Sequence, residues 1–389
     1  MFDRRYIILS RPEYIEKLFD RKLFFMKFPY SQGIDELGVH ERGIAFNDNY
    51  ESWKYNNKFF TDTFVAQKFM DNAVKSTSKL YVELSSYWQS LGNQNISNSN
   101  NDNWTLETDF SAWFHGFAND IVSIIITGER TYSIASYYNK QSLNKSECPN
   151  ALVEDGNKFV KSIVQYLEAS NDKVLEPMTD EDIGVNLLDA FLGGTDTTSN
   201  LFCFITYYIC KPPHVKQKML SELDYNLPKS SDKFYISYND LQKLKYCEAI
   251  IKEVYRMVPI IPFSIRTTTK EIEIAGYKWP SGTHFLLNFF AVHGHSEFWP
   301  DSEVFNPDRF YNDNRDDKRF GNKPTLMMFG GGLRICPGRK LAMAELLVLM
   351  ALVYKNYNVE LVNPHESLKI LSLITTNCKE LKIRISPRT

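Results

Sequence analysis

The chain has 389 residues, with 45 Lys and Arg against 47 Asp and Glu, so its net charge of −2 excludes a strongly basic, nucleic-acid-coating protein. With 43% hydrophobic and 14% aromatic residues it can bury a sizeable core. Its six cysteines include no Cys-x-x-Cys pair, which argues against a disulfide framework or a structural zinc site.

The start, MFDRRYIILSRPEY, has no apolar signal region, and the longest apolar run, Leu346 to Tyr354, suits a buried helix. The sequence alone therefore predicts neither export nor membrane integration. Arg5–Ser10 reads as a short strand and Arg11–Asp20 as a helix. Helix follows at Ser52–Phe60 and at Tyr81–Leu91. The Asn- and Ser-rich stretch 93–104 is low in complexity and predicts a disordered loop. Asp109–Arg130 predicts a helix ending near Gly128, and 151–170 predicts another. Thr179–Cys210 is the longest helical segment, with Thr179 placed to cap it and Asp182 three positions on. Helices follow at Pro212–Asp224 and Ser237–Met257. Strand-like pieces lie in Ile272–Phe289 with a turn at Ser281-Gly282, and His293–Pro324 is rich in loop. The end, Ser367–Ser386, alternates like a small antiparallel pair. The expected class is mainly α with small β-sheets, and one domain over 1–389.

The segment FGGGLRICPGRKLAMAE, Phe329–Glu345, carries the chemistry. The spacing of its glycines fits neither a phosphate-binding nor a dinucleotide-binding loop. Position 342 holds alanine where a phosphatase-type cysteine would want arginine. A cysteine hydrolase pairing Cys336 with His293 or His295 stays open, though nothing in the sequence ties them together. A different reading uses every special residue. Cys336 precedes a helix, whose N-terminus favours thiolate. Gly332 and Gly338 let the backbone pass close to a flat object, Phe329 can pack against it, and Arg334 can pair with an anion on it. Haem fits that description.

Phe329, Gly332, Arg334, Cys336 and Gly338 form F-x-x-G-x-R-x-C-x-G, which resembles the haem-binding signature of the cytochrome P-450 superfamily. The resemblance implies haem (iron protoporphyrin IX) as cofactor, with Cys336 as axial iron ligand. Three more segments match. Gly193–Ser199, GGTDTTS, resembles the family's acid–alcohol pair on the long helix over the haem, which gives Asp196 and Thr197 the handling of protons during dioxygen reduction. Glu253 and Arg256 resemble E-x-x-R, and Asn306–Phe310, NPDRF, supplies Arg309 as third member of a structural trio. Arg266 and Trp53 match residues that anchor the haem carboxylates. Asn57 departs from the pattern, which often has arginine four residues after that tryptophan; Lys54 and Lys58 flank it and are candidates to compensate. His115 and His284 read as core residues, and His293–His295 as ordinary loop.

The resemblance runs from Pro177 to Arg388 and thins before it. The chain starts at the first strand, without the family's N-terminal anchor, and Leu80–Pro177 is short, so part of the lid over the substrate pocket is expected to be missing. The implied activity is a haem-thiolate monooxygenase inserting one oxygen atom of dioxygen into a small apolar substrate. The chain carries no flavin or NADPH motif, so electrons would come from a separate NADPH-dependent reductase or other donor, docking near Arg339, Lys340, Lys54 and Lys58 on the cysteine side. A monomer is expected, without nucleic acid, in the cytosol or at the cytosolic face of the endoplasmic reticulum. The shortened lid and Asn57 keep a second reading open: a haem- or lipid-binding degenerate member without turnover.

Overall fold

The computed structural model describes residues 4–22, 25–27, 35–36, 38–94, 104–146, 178–227, 236–311 and 325–388. Strand β1 (Ile7–Leu9) leads into α1 (Pro12–Lys17), which opens on a proline whose missing N–H costs nothing at a helix start. Helix α2 (Tyr50–Thr63) is capped by Asn49, which accepts from the Ser52 N–H. Helix α3 (Gln67–Gln94) follows, then β2 (Leu106–Asp109) and α4 (Phe110–Thr127), which stops where Gly128 turns left-handed at φ 76°. Helix α5 (Ser133–Gln141) precedes the long α6 (Asp180–Ile209). Three acidic residues in the first turn of α6 complement its dipole, and Thr179 caps it by accepting from the Asp182 N–H.

Next come α7 (Pro213–Asn226), α8 (Tyr238–Leu241) and α9 (Lys245–Met257). The single helix expected over Ser237–Met257 is thus two. A tight turn separates them, with the Lys243 and Leu244 N–H groups bonding back to Asp240 and Leu241. Strand β3 (Phe263–Thr267), which sequence reading missed, precedes β4 (Ile272–Ile274), β5 (Tyr277–Trp279) and β6 (His284–Asn288). The expected turn at Ser281-Gly282 joins β5 to β6, and a second turn at Ala275-Gly276 closes the β4–β5 hairpin. Short helices α10 (Phe289–Gly294) and α11 (Asp308–Tyr311) lead to α12 (Arg339–Asn356). Strands β7 (Tyr357–Leu361), β8 (Lys369–Ser372), β9 (Thr376–Glu380) and β10 (Lys382–Pro387) end the chain.

Parallel pairing of β1 with β6 and antiparallel pairing of β3 with β6 make one sheet. Strand β10 lies between β2 and β7, both antiparallel. The expected C-terminal pair is therefore β8–β9, while the last strand joins a separate sheet. The main core packs α3, α4, α6, α9 and α12 around Trp88, Trp113, Phe114, Phe202 and Tyr354. Helix α12 is buried without a break from Ala344 to Tyr354, as its all-round apolar sequence requires. A second cluster, with Phe25, Phe285, Trp299 and Met327, fills the space beside β1–β6–β3.

Of the stretch 93–104, where a loop is expected, only the two ends are described. Asn93 and Gln94 continue α3, and Trp104 is buried against Gly92 and Tyr357. Its middle, and the helix expected at 151–170, lie outside the described residues.

Candidate functional site

The cysteine loop closes on itself. The Cys336 N–H donates to the Phe329 carbonyl at 3.0 Å, and the Gly330 N–H to that of Met327 at 3.2 Å. Gly332 sits at φ +71°, a conformation that favours glycine, and a Cβ there would stand 2.9 Å from the Phe19 carbonyl oxygen. A Cβ on Gly331 would meet the Phe19 ring at 2.4 Å. The chain pressing on these glycines is thus Phe19, just after α1. Gly338 is under no such pressure, with Phe64 3.9 Å and the Cys336 Sγ 4.0 Å from an added Cβ.

Burial pushes the Cys336 thiol up; the Gly338 N–H and the charges of Lys27 and Arg339 oppose this. The sequence led us to expect the helix N-terminus to favour thiolate. In this pocket desolvation outweighs it; a metal bound there would deprotonate the thiol.

A buried ion-pair cluster supports the loop from below. On α9 the Arg256 guanidinium donates to both Glu253 oxygens, at 2.8 and 2.9 Å, and both residues are buried. Arg309 Nε and the Asn306 N–H also reach Glu253 Oε1, at 3.3 and 3.0 Å. Arg256 Nη1 donates to the His293 carbonyl at 3.0 Å, and His293 Nε2 accepts from the Met327 N–H at 3.0 Å. Burial, then the charge of Arg256, holds this imidazole down at about 3, so it stays a neutral acceptor. The trio thus reaches the root of the cysteine loop through His293, a link the sequence did not suggest.

Two arginines converge on the other side. Arg334 is buried, with Nη1 2.7 Å from the Asn47 carbonyl and Nη2 3.2 Å from that of Ala45, and its Cζ lies 5.3 Å from the ring centre of buried Trp53. Arg266, on β3, is also buried, and its Nη1 donates to Ser264 Oγ and the Ile265 carbonyl. Desolvation, with Arg334 adding to it, lowers Arg266 to about 9. Desolvation, opposed by Asp48 and Asp189, lowers Arg334 to about 10. Asp189 on α6 accepts from the N–H groups of Ile44 and Ala45 at 2.6 and 2.9 Å, so α6 fixes the backbone that holds Arg334.

On α6, Thr197 Oγ1 donates to the Gly193 carbonyl at 2.6 Å. The two glycines of this segment differ in their surroundings. A Cβ on Gly194 would stand 3.0 Å from Val122 of α4, which makes it a packing position, while Gly193 faces open space. Asp196 is exposed, with Oδ1 3.7 Å from His115 Nδ1. His115 is therefore not the core residue expected; it reaches α6 from α4 and lies 3.1 Å from Ser199 Oγ. His284 is half-buried and bonds Thr267 at 2.7 Å. Asn200, also missed, bonds the Asp196 carbonyl at 2.6 Å and accepts from the Cys378 N–H at 2.6 Å, tying α6 to β9. The signal for it was a buried amide one turn after an acid.

Residues 139–385 match the family model "Cytochrome P450". The chain belongs to the cytochrome P450 family. It is 32% identical over 211 residues to cytochrome P450 716A2 of Arabidopsis thaliana, covering 54% of this chain and 43% of that protein. Over 212 residues it is 31% identical to amorpha-4,11-diene 12-monooxygenase of Artemisia annua, covering 54% and 42%. The chain spans less than half the length of the curated relatives it matches. Two solved P450 structures share the fold at 19% identity: cytochrome P450 CYP102L1, TM-score 0.78, covering 99% of this chain and 90% of that one, and the cytochrome P450DA heme domain, TM-score 0.79, covering 100% and 88%.

The family and fold imply haem, and the P450 residues present fit it. Two buried guanidiniums beside a cysteine loop suit a macrocycle with a thiolate-ligated iron and two carboxylates. Among the described residues no helix is long and apolar enough to cross a membrane.

Proposed function

We propose that this P450 is a haem-thiolate monooxygenase acting on a small apolar molecule, with Cys336 as axial ligand. When bound, the haem supplies the iron at which dioxygen is reduced and its bond broken. Arg334, Arg266 and Trp53 hold the carboxylate edge. Phe329, Gly332 and Gly338 shape the loop against the ring, while Glu253, Arg256 and Arg309 keep that loop in place. Thr197 and Asp196 hold and move protons on α6: the Thr197 hydroxyl is anchored on the Gly193 carbonyl, and the Asp196 carboxylate is in contact with solvent. The observation that carries the reading is the pair of buried arginines, Arg334 inside the Cys336 loop and Arg266 on β3, which come from segments far apart in sequence.

Electrons come from a separate NADPH-dependent reductase. Lys54, Lys58 and Lys340 are exposed, and Phe64, the C-cap of α2, lies beside Gly338, so α2 and the start of α12 share a face suited to an acidic partner. Relatives named for amorpha-4,11-diene and beta-amyrin oxidation favour an apolar substrate. An apolar cavity of about 360 Å³ lies between α2, α3, α4 and the start of α6, bounded by Phe59, Phe69, Ile124 and Leu187. Leu187 precedes Thr197 by ten residues, roughly 15 Å along the helix, so an occupant of that cavity is out of reach of the proton-handling pair. The substrate therefore binds elsewhere, at the open face of α6 beside Gly193.

The test is NADPH consumption with a supplied reductase and the Thr197→Ala variant. The proposal expects that rate, or its yield of oxidised product, to change by about 100-fold, the scale of a positioned proton donor. An unchanged rate and yield would remove Thr197 from proton delivery.

A further inference from the structure

Protein interiors leave few voids larger than a water molecule. The cavity between α2, α3, α4 and the start of α6 measures about 360 Å³, within the range of small-molecule sites. Helix ends build its walls. Phe59 and Phe64 come from the end of α2, Phe69 from the first turn of α3, and Ile124 and Ile125 from the last turn of α4. Ala73, buried on α3, is the smallest side chain of the wall and leaves the space open.

The polar side chains on this wall divide by how they are bonded. Thr127 Oγ1 donates to the Ser123 carbonyl at 2.7 Å, and Asn186 Nδ2 to Asn56 Oδ1 at 2.6 Å. Thr63, and Asn72 and Ser76 one turn apart on α3, have side chains with no hydrogen-bond partner among the described residues. Asn72 is exposed and Ser76 half-buried, so this pair marks the mouth. No charged side chain is among the described lining residues. A carboxylate or an ammonium would therefore enter without a counter-ion, at a high desolvation cost. The lining suits an apolar body with one neutral polar end. At roughly 30 Å³ per water-sized group, about a dozen non-hydrogen atoms fill the space.

We propose that this cavity is a second ligand site, separate from the substrate face of α6, and that it takes a neutral apolar alcohol of that size. The hydroxyl bonds at the Asn72–Ser76 rim, and the body lies among the phenylalanines. Phe64 connects the site to the rest of the molecule. Its ring closes one side of the cavity and also lies 3.9 Å from the place of a Cβ on Gly338. An occupant thus bears on the cysteine loop through a single ring. The inference goes beyond the monooxygenase reading, since binding here needs no haem.

The experiment is equilibrium dialysis of the purified protein against 4-phenyl-1-butanol, with Gly193→Phe used to close the open face of α6. One probe per chain should bind in that background. Adding Ala73→Phe, which fills the cavity, should weaken this binding at least about ten-fold, because the probe or the wall must move. Ile125→Trp fills it from the α4 wall and should do the same, which covers a failure of Ala73→Phe to fold; circular dichroism reports the fold of each. The carboxylate twin, 4-phenylbutyrate, should bind about ten-fold more weakly than the alcohol. No binding in Gly193→Phe, binding that survives a folded filler variant, or equal binding of the carboxylate would overturn the proposal. Dialysis counts the probe whether or not haem is present, so a failure of the monooxygenase reading leaves this result intact.

Discussion

Glu345, nine residues after the cysteine, is buried on α12 with one carboxylate oxygen lacking a hydrogen-bond partner among the described residues. It faces a small space shared with Thr198, Ser199 and Phe117. Desolvation alone raises it from 4.5 to about 8. The folded state therefore keeps this proton where the unfolded chain has released it, and stability falls as pH rises from 4.5 and levels off above 8. Up to about 5 kcal/mol is at stake. Glu345→Gln removes the charge and keeps the shape. Its unfolding free energy should exceed that of wild type above pH 8 and converge with it near pH 4.5. Parallel curves in urea titrations across that range would show that the carboxyl is not desolvated as described. Burial pushes the Cys336 thiol up by the same physics.

At the scale of elements, α9, α10 and the cysteine loop behave as one piece because Arg256 spends its donors on Glu253 and the His293 carbonyl. Removing one partner leaves a buried charge uncompensated. Glu253→Ala should cost about 3–5 kcal/mol in chemical unfolding. It should also loosen the root of the loop at Met327, so that the haem absorption is lost at lower denaturant than the helical signal. A variant that unfolds in one step at wild-type stability would show that the trio does not support the loop. Much of this was legible in the sequence. Glu253 and Arg256 are three apart among apolar neighbours, which already placed them on a buried face. What joins them to Met327 was not, since it runs through a histidine imidazole and a backbone N–H. The split between α8 and α9 was equally hidden, because Gln242–Leu244 have ordinary helical composition and only their tight backbone bonds reveal the turn. Strand β3 was not read from the sequence, and it is the pairing with β6 that orders it.

Across the whole molecule, local motifs reported the chemistry and tertiary placement reported its support. Cys336, Arg334 and Gly332 stand within one ten-residue pattern, so their grouping is a property of the sequence. Asp189, Asn200 and His115 carry no motif. They matter because α6 passes between the 43–47 segment and β9 and meets α4 at His115. The near-neutral chain puts its cations to local use. Arg266 and Arg334 are buried at real desolvation cost, and the account holds that a bound dianion repays it.

The most direct test is the absorption spectrum of the reduced, carbon monoxide-treated protein, purified from haem-supplied cells, beside that of Cys336→Ala. The account predicts the red-shifted Soret band of a thiolate-ligated haem in the wild type and its loss in the variant. A wild type with no Soret band, or a variant that keeps the thiolate spectrum, would contradict it.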